Sequence, residues 1–281
     1  MDFKYFSRNG KILPTAEAVV LLSNIEYQYG FGVYENVRVY DGVPYFLKDH
    51  IERLRESARI IGLEHSFSEA AIRKSVTELI KKSEVGTYNL KILLIGPSTS
   101  LRAGGNDATL YILCFNPLFP DKKLYKEGAD FITYEYERPF PHAKTLNMLQ
   151  SYLVHKDAKA KGCYDALLIN SKGCITEGTR ANFFCMRGQT LVSPPESEIL
   201  LGVTRKAVLK VAEENGFSLE EQEVRFSDII NSDGAFITST SSKITPVRSI
   251  DGHTLASPPD TLRELMEAFD DYLERSKGVL T

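Results

Sequence analysis

Residues 33–47, VYENVRVYDGVPYFL, are rich in valine and aromatic positions and read as two short strands, and Asp41-Gly42 between them suits the positive φ values of a tight hairpin turn. A helical period follows. In KDHIERLRESARIIG, Ile51, Leu54, Ala58 and Ile61 recur at intervals of 3, 4 and 3, the stripe of a half-buried helix, with Asp49 placed to cap its start and Gly62 to end it. A second helix is expected from Ser66 or Ser68, with Glu69 placed for a capping box and Ile72, Val76, Leu79 and Ile80 as its apolar face. YNLKILLIGP and ATLYILCF read as buried strands.

NPLFPDKKLYKEG, residues 116–128, has two prolines, many charges and no period, and reads as an interdomain linker. Beyond it the spacing predicts a strand near 129–136, then a helix across KTLNMLQSYLVHKDAKAKG that stops at Gly162. Two hairpins follow, turning at residues 171–173 and 187–188, then a helix over 202–215, strands in SLEEQEVRF and GAFITST, and a closing helix from Thr261. Hairpins outnumber strand–helix–strand units, so the order suits an α+β fold. The expected division is a small α/β domain over 1–116, a linker over 117–127 and a larger domain over 128–281.

Composition narrows the function classes. The 281 residues are 43% apolar and 25% charged, an ordinary globular balance with room for a sizeable core. A net charge of −3 offers no basic field for nucleic acid or a membrane surface, and no apolar run reaches the roughly 18 residues of a membrane span. MDFKYFSRNG has no apolar run behind a basic head, so no secretory signal is expected; the four cysteines read as reduced thiols, and a cytoplasmic setting is expected from them. The four cysteines lack paired metal-ligand spacing, the five histidines are scattered, and no metal site is expected.

Four separated features carry candidate chemistry. Lys144, in RPFPHAKTLNML, stands after a strand and a proline at the expected opening of a helix, where a cation opposes the helix dipole and has no local stabilising role. Glu177, in GCITEGTRANFF, is a carboxylate at the mouth of an apolar strand. Arg53 lies off the apolar stripe of its helix. LLGVTRKAV and TSTSSKITP supply a helix start and a hydroxyl cluster, both suited to an anion. Taken singly, each has a bland reading as solvated surface or plain loop.

Taken together, HIERL, AKTLNML, ITEGTRANFF, LLGVTRKAV and STSSKITPV, in this order and preceded by YQYGFGVYENVRVYDG, resemble the signature blocks of the class IV aminotransferases. These are pyridoxal-phosphate enzymes of fold type IV, among them branched-chain and D-amino-acid aminotransferases and aminodeoxychorismate lyase. The resemblance covers roughly residues 25 to 250. It implies that Lys144 attaches pyridoxal phosphate and moves the substrate's α-proton, and that Glu177 pairs with the protonated ring nitrogen. It further implies that Arg53, the amides of Val203 and Thr204, and the hydroxyls of Thr204, Thr240 and Ser241 hold the phosphate. A small N-terminal domain, a larger pseudo-barrel domain, a cofactor between them and a homodimer are implied as well. The expected substrates are an amino acid and a 2-oxo acid, with no nucleic-acid or membrane partner.

Substrate choice is divided. Tyr34, with Phe31 nearby and Arg38 on the same strand face, forms an aromatic wall with one cation, which suits branched-chain L-amino acids and 2-oxoglutarate. Met148, following Asn147 where branched-chain enzymes usually place a tyrosine, and AKAKGCYDALL lean toward D-amino acids. The D-amino-acid carboxylate trap pairs an arginine with a histidine two residues on, but Arg102 is followed by Ala103 and Gly104. Arg180 and Lys243 fit neither branch, and Arg180 is placed to clamp a carboxylate. Pyruvate elimination by a lyase, and a non-catalytic relative using the old cleft to bind an anion or a partner, are the remaining alternatives.

Overall fold

A computed structural model describes residues 3–20, 22–83, 86–96, 108–117 and 119–276. The chain divides into two compact units, one of Met1–Leu118, Ala143–Asn147 and Ser276–Thr281, the other of Phe119–His142 and Met148–Arg275. The five residues around Lys144, placed by the sequence pattern in the second domain, thus pack with the first.

In the first unit, strands β1 (Tyr5–Arg8) and β2 (Lys11–Pro14) precede a short helix α1 (Ile25–Gln28), and β3 (Gly32–Tyr40) turns into β4 (Val43–Pro44). Helices α2 (Leu47–Ile60) and α3 (Glu69–Lys82) lead to β5 (Tyr88–Ile95) and β6 (Thr109–Phe115). The strands form one antiparallel sheet in the order β2-β1-β6-β5-β3-β4. Asp41 and Gly42 have φ of 49° and 82°, the mirror-image turn expected of that dipeptide. Strand alternation then sorts the side chains. Val33, Val37 and Val39 join Leu90, Ile92 and Leu94 in a core covered by Ile51, Leu54 and Ala58 of α2 and Ile72, Val76 and Leu79 of α3. The alternate positions of β3, Tyr34, Asn36 and Arg38, fall on the other face.

Two helix starts differ from expectation. Helix α2 begins at Leu47 behind Phe46, which takes a left-handed φ of 53° and gives no side-chain cap, so Asp49 lies inside the first turn. In α3, Ser68 is the cap and accepts the Ala71 N–H, which makes Glu69 the first helical residue; it pairs with Arg73 at 3.0 Å instead of closing a capping box.

The second unit opens with α4 (Lys122–Glu127), a short helix inside the expected linker whose start Asp121 caps through the Lys123 N–H. Then come β7 (Ala129–Glu135), α5 (Leu149–Ala160), β8 (Asp165–Ile169), β9 (Cys174–Gly178), β10 (Asn182–Arg187) and β11 (Thr190–Ser193). Helix α6 (Val203–Glu214), β12 (Ser218–Glu221), β13 (Val224–Arg225), α7 (Phe226–Ile230), β14 (Gly234–Ser239), β15 (Lys243–Ile250), β16 (His253–Thr254) and α8 (Asp260–Ser276) complete it. The path β10-β14-β15-β7-β8-β9 closes on itself, because β9 also pairs β10 with Glu177 opposite Asn182. The result is a barrel, as the fold-type IV resemblance implied. Phe131, Leu167, Ile175, Phe183, Ile237 and Val247 belong to its apolar core, and α5 lays Val154 and Ala158 against Ile132, Ala166 and Leu168.

Candidate active site

Lys144 does not open a helix. Its segment is tied to β3 through one isolated bridge: Thr145 bridges Val33 in antiparallel sense, the Tyr34 N–H donates to the Lys144 carbonyl at 2.9 Å, and the Leu146 N–H donates to the Gly32 carbonyl at 2.9 Å. The Lys144 N–H donates to the Ser57 hydroxyl on α2 at 3.0 Å. Helix α5 begins only at Leu149. The lysine is therefore fixed by backbone pairing, with its ammonium 4.6 Å from the centre of the Tyr34 ring and no acid paired to it among the described residues. Lys91 of β5 places a second ammonium 5.3 Å from the same ring. The sequence reading omits Lys91, though its opposition to Asn36, two residues from Tyr34, puts it on that sheet face.

Arg53 is already engaged within its own unit. Its Nε and Nη2 donate to the two oxygens of Glu35 at 2.7 Å each, and His50 Nδ1 donates to the same carboxylate at 2.7 Å. Glu35 is fully buried; burial pushes its pKa up, but Arg53 and His50 outweigh that and hold it at about 2. Burial lowers the His50 pKa, against the pull of the Glu35 carboxylate beside it. Arg38 is buried in β3 on the Tyr34 face.

In the second unit Glu177 is 2% exposed, so the carboxylate at the mouth of the strand is inside. It has a protein partner that the sequence pattern does not reveal: Arg138 Nε donates to Oε1 at 2.6 Å, and Arg138 Nη2 to the Thr179 carbonyl at 2.7 Å. Oε2 accepts the Leu200 N–H at 3.2 Å and faces Asn182 Nδ2 at 3.5 Å. Residues 200–202 pass from this carboxylate into α6. Gly202 is the N-cap, no side chain caps the helix, and Val203 and Thr204 are buried at its first two positions. The first bond of the ladder runs from Lys206 to Gly202, leaving earlier N–H groups outside it. After β14, the Ser239 hydroxyl contacts those of Ser241 at 3.3 Å and Ser242 at 2.7 Å, while Thr240 lies half-buried between them.

Two other candidates are drawn elsewhere. Arg180 is exposed, and its Nη2 donates to His155 Nε2 at 2.7 Å rather than turning to Glu177. Lys243 pairs with Asp270 at 2.7 Å. Arg102 lies outside the described residues. Among those residues, no helix is long and apolar enough to cross a membrane.

Comparison with known proteins assigns the family. Residues 32–250 match the model for amino-transferase class IV. The chain is 33% identical to the D-alanine aminotransferase of Bacillus licheniformis over 255 residues, 89% of each chain. The crystal structure of the branched-chain aminotransferase of the archaeon Thermoproteus uzoniensis with norvaline superposes with a TM-score of 0.85 at 29% identity, covering 95% of this chain and 93% of that one. The crystal structure of the Escherichia coli branched-chain amino acid aminotransferase gives a TM-score of 0.87 at 25% identity over 96% of this chain and 94% of that one. The chain belongs to the class IV aminotransferases.

Proposed function

We propose that the protein exchanges amino groups between branched-chain L-amino acids and a 2-oxo acid such as 2-oxoglutarate, with pyridoxal phosphate attached at Lys144. The observation that carries this reading is Lys144, whose main chain is fixed by the Tyr34 N–H and the Ser57 hydroxyl and whose ammonium lies 4.6 Å from the centre of the Tyr34 ring, paired with no acid among the described residues. A structural lysine would end on a carboxylate or in water.

The other donors suit the same cofactor. Pyridoxal phosphate supplies an electron-withdrawing ring that stabilises negative charge at the amino acid α-carbon. Once the substrate amine has displaced it from the cofactor, the freed Lys144 amine would carry the α-proton to the adjoining carbon of the cofactor. Glu177 keeps the ring nitrogen protonated: an ionised carboxylate offers about four acceptor positions, and Arg138, Leu200 and Asn182 occupy three. The uncapped start of α6, with the amides of Val203 and Thr204 and the Thr204 hydroxyl, takes the phosphate dianion. Thr240 joins it, with the Ser241 hydroxyl turned toward Ser239. The buried Thr238 hydroxyl, two residues before Thr240, has no partner among the described residues and fits a polar ligand there. Arg53 serves the phosphate with a guanidinium that Glu35 holds in plane.

Tyr34, Arg38 and Lys91 give the sheet face an aromatic wall with two cations, which suits an apolar donor and a dicarboxylate acceptor. The known structure with norvaline points the same way. A second reading, D-amino acids, is favoured by one contact: Arg180 and His155 form an arginine–histidine pair assembled from distant parts of the chain. The 33% identity with a D-alanine aminotransferase agrees with it. Both readings share the homodimer implied by the family resemblance and the cytoplasmic setting expected from the sequence. Holoenzyme mixed separately with L-leucine, L-valine, D-alanine and D-glutamate decides between them. Conversion of the cofactor absorbance to its amine form by L-leucine or L-valine is expected; conversion by D-alanine alone overturns the L-specific reading. Pyruvate release without a 2-oxo acid acceptor would mark a lyase instead.

A further inference from the structure

Asn182 stands where three parts of the second unit meet. In backbone register it lies opposite Glu177 on one side, at the pairing that closes the barrel, and opposite Thr238 on the other. Its side chain Nδ2 donates to the Leu200 carbonyl at 2.7 Å and lies 3.5 Å from Glu177 Oε2. The Leu200 N–H closes the triangle by donating to that same Oε2 at 3.2 Å. The other end of the amide, Oδ1, packs against the backbone of Gly202, so closely that a Cβ on residue 202 would fall 2.0 Å from it.

The chemistry of that position admits few side chains. Leu200 O and Glu177 Oε2 are both acceptors, so the group between them must offer two N–H bonds from one atom, which the amide nitrogen does. The nitrogen end of the carboxamide is thereby assigned by its neighbours. Aspartate would lose both donors and bring a second carboxylate against Glu177. Gly202 has no β-carbon because the space one would fill is already taken by Asn182 Oδ1. One planar group therefore touches the carboxylate assigned to the ring nitrogen and, at its far end, the N-cap of the helix assigned to the phosphate.

We infer that Asn182 is a positioning residue that sets the spacing between Glu177 and the first amides of α6, so that one cofactor meets both ends at once. The inference rests on the cofactor reading above and goes beyond it. Neither Asn182 nor Gly202 need touch the cofactor. Losing the amide leaves Glu177 without one restraint and lets the 200–202 segment relax; adding a methyl at Gly202 pushes the amide out and reaches the same state from the other side.

The test compares Asn182→Ala, Gly202→Ala and the double variant. Each is titrated with pyridoxal phosphate and with pyridoxal, and the half-reaction rate with substrate is measured. The ratio of the two affinities reads the phosphate end alone, and a general loss of stability does not move it. Each single variant is expected to lower that ratio about fivefold to tenfold, the scale of one lost hydrogen bond, and to slow the half-reaction. The double variant, in which the Gly202→Ala methyl occupies the vacated space, is expected to be no worse than Asn182→Ala. Unchanged ratio and rate in Asn182→Ala, or fully additive losses in the double variant, overturn the role of Asn182. Should Asn182→Ala not fold, Gly202→Ala alone must still lower the ratio, and an unchanged ratio there overturns the role. Wild-type protein that takes up no pyridoxal phosphate overturns the cofactor reading and this role together.

Discussion

Arg138 Nε donates to Glu177 Oε1 at 2.6 Å, with side-chain exposures of 17% and 3%. The pair is assembled from a proline-rich turn and a barrel strand, and it gives a buried carboxylate its charged partner among the described residues. Glu177→Gln is expected to keep the cofactor but lose at least about 10²-fold in half-reaction rate, or roughly 2.7 kcal/mol of barrier. Arg138→Ala removes the partner and strands the charge, so it is expected to cost roughly 3–5 kcal/mol of stability. Denaturant unfolding checks the second outcome; near-normal turnover in Glu177→Gln would refute the first.

Glu35 links stability to acid. Its folded pKa of about 2 lies below the usual 4.5. The contribution is therefore fully present above pH 4.5 and is lost as pH falls toward about 2. Its size is about 3 kcal/mol at neutral pH, from 1.36 kcal/mol per pKa unit. Glu35→Gln is expected to unfold more easily at neutral pH and to show a flatter loss of stability on acidification. Equal acid slopes for both proteins would contradict the arrangement.

Arg53→Ala is expected to raise the dissociation constant for pyridoxal phosphate by tenfold or more, since a charge-assisted hydrogen bond is worth roughly 1.5–3 kcal/mol. The half-reaction rate at saturating cofactor is expected to change less. An unchanged dissociation constant would confine Arg53 to its pairing with Glu35.

Arg180 carries a specificity test. Because arginine only donates, His155 Nε2 must accept, which puts the imidazole proton on Nδ1, 3.1 Å from Asp165 Oδ1. Thr179 donates to the same Asp165 oxygen at 2.6 Å. On the D-amino-acid reading, His155→Leu is expected to raise KM for the amino acid several-fold with kcat preserved. Loss of kcat with KM unchanged would remove Arg180 from substrate binding.

Much of this is legible in the chain, and the omissions share a cause. The valine and aromatic positions of residues 33–47 and the 3, 4, 3 stripe beginning at Ile51 disclose the hairpin and α2, because strand and helix faces are local properties. Lys144 is legible as a residue but its pairing with β3 is not, since the partners that hold it, at Gly32 and Tyr34, lie far earlier in the chain. Glu35 does leave a signal: it shares parity with Val33, Val37 and Val39, which points it into the core. Arg138 leaves none, because nothing near it in sequence indicates that it reaches Glu177, 39 residues on.

The attachment of the cofactor at Lys144 admits the most direct measurement. Holoenzyme is reduced with borohydride, digested and mapped by mass spectrometry. The pyridoxyl group is expected on Lys144 alone, and Lys144→Ala is expected to carry no label. A label on Lys91, Lys156 or Lys159, or undiminished labelling in Lys144→Ala, would contradict the assignment.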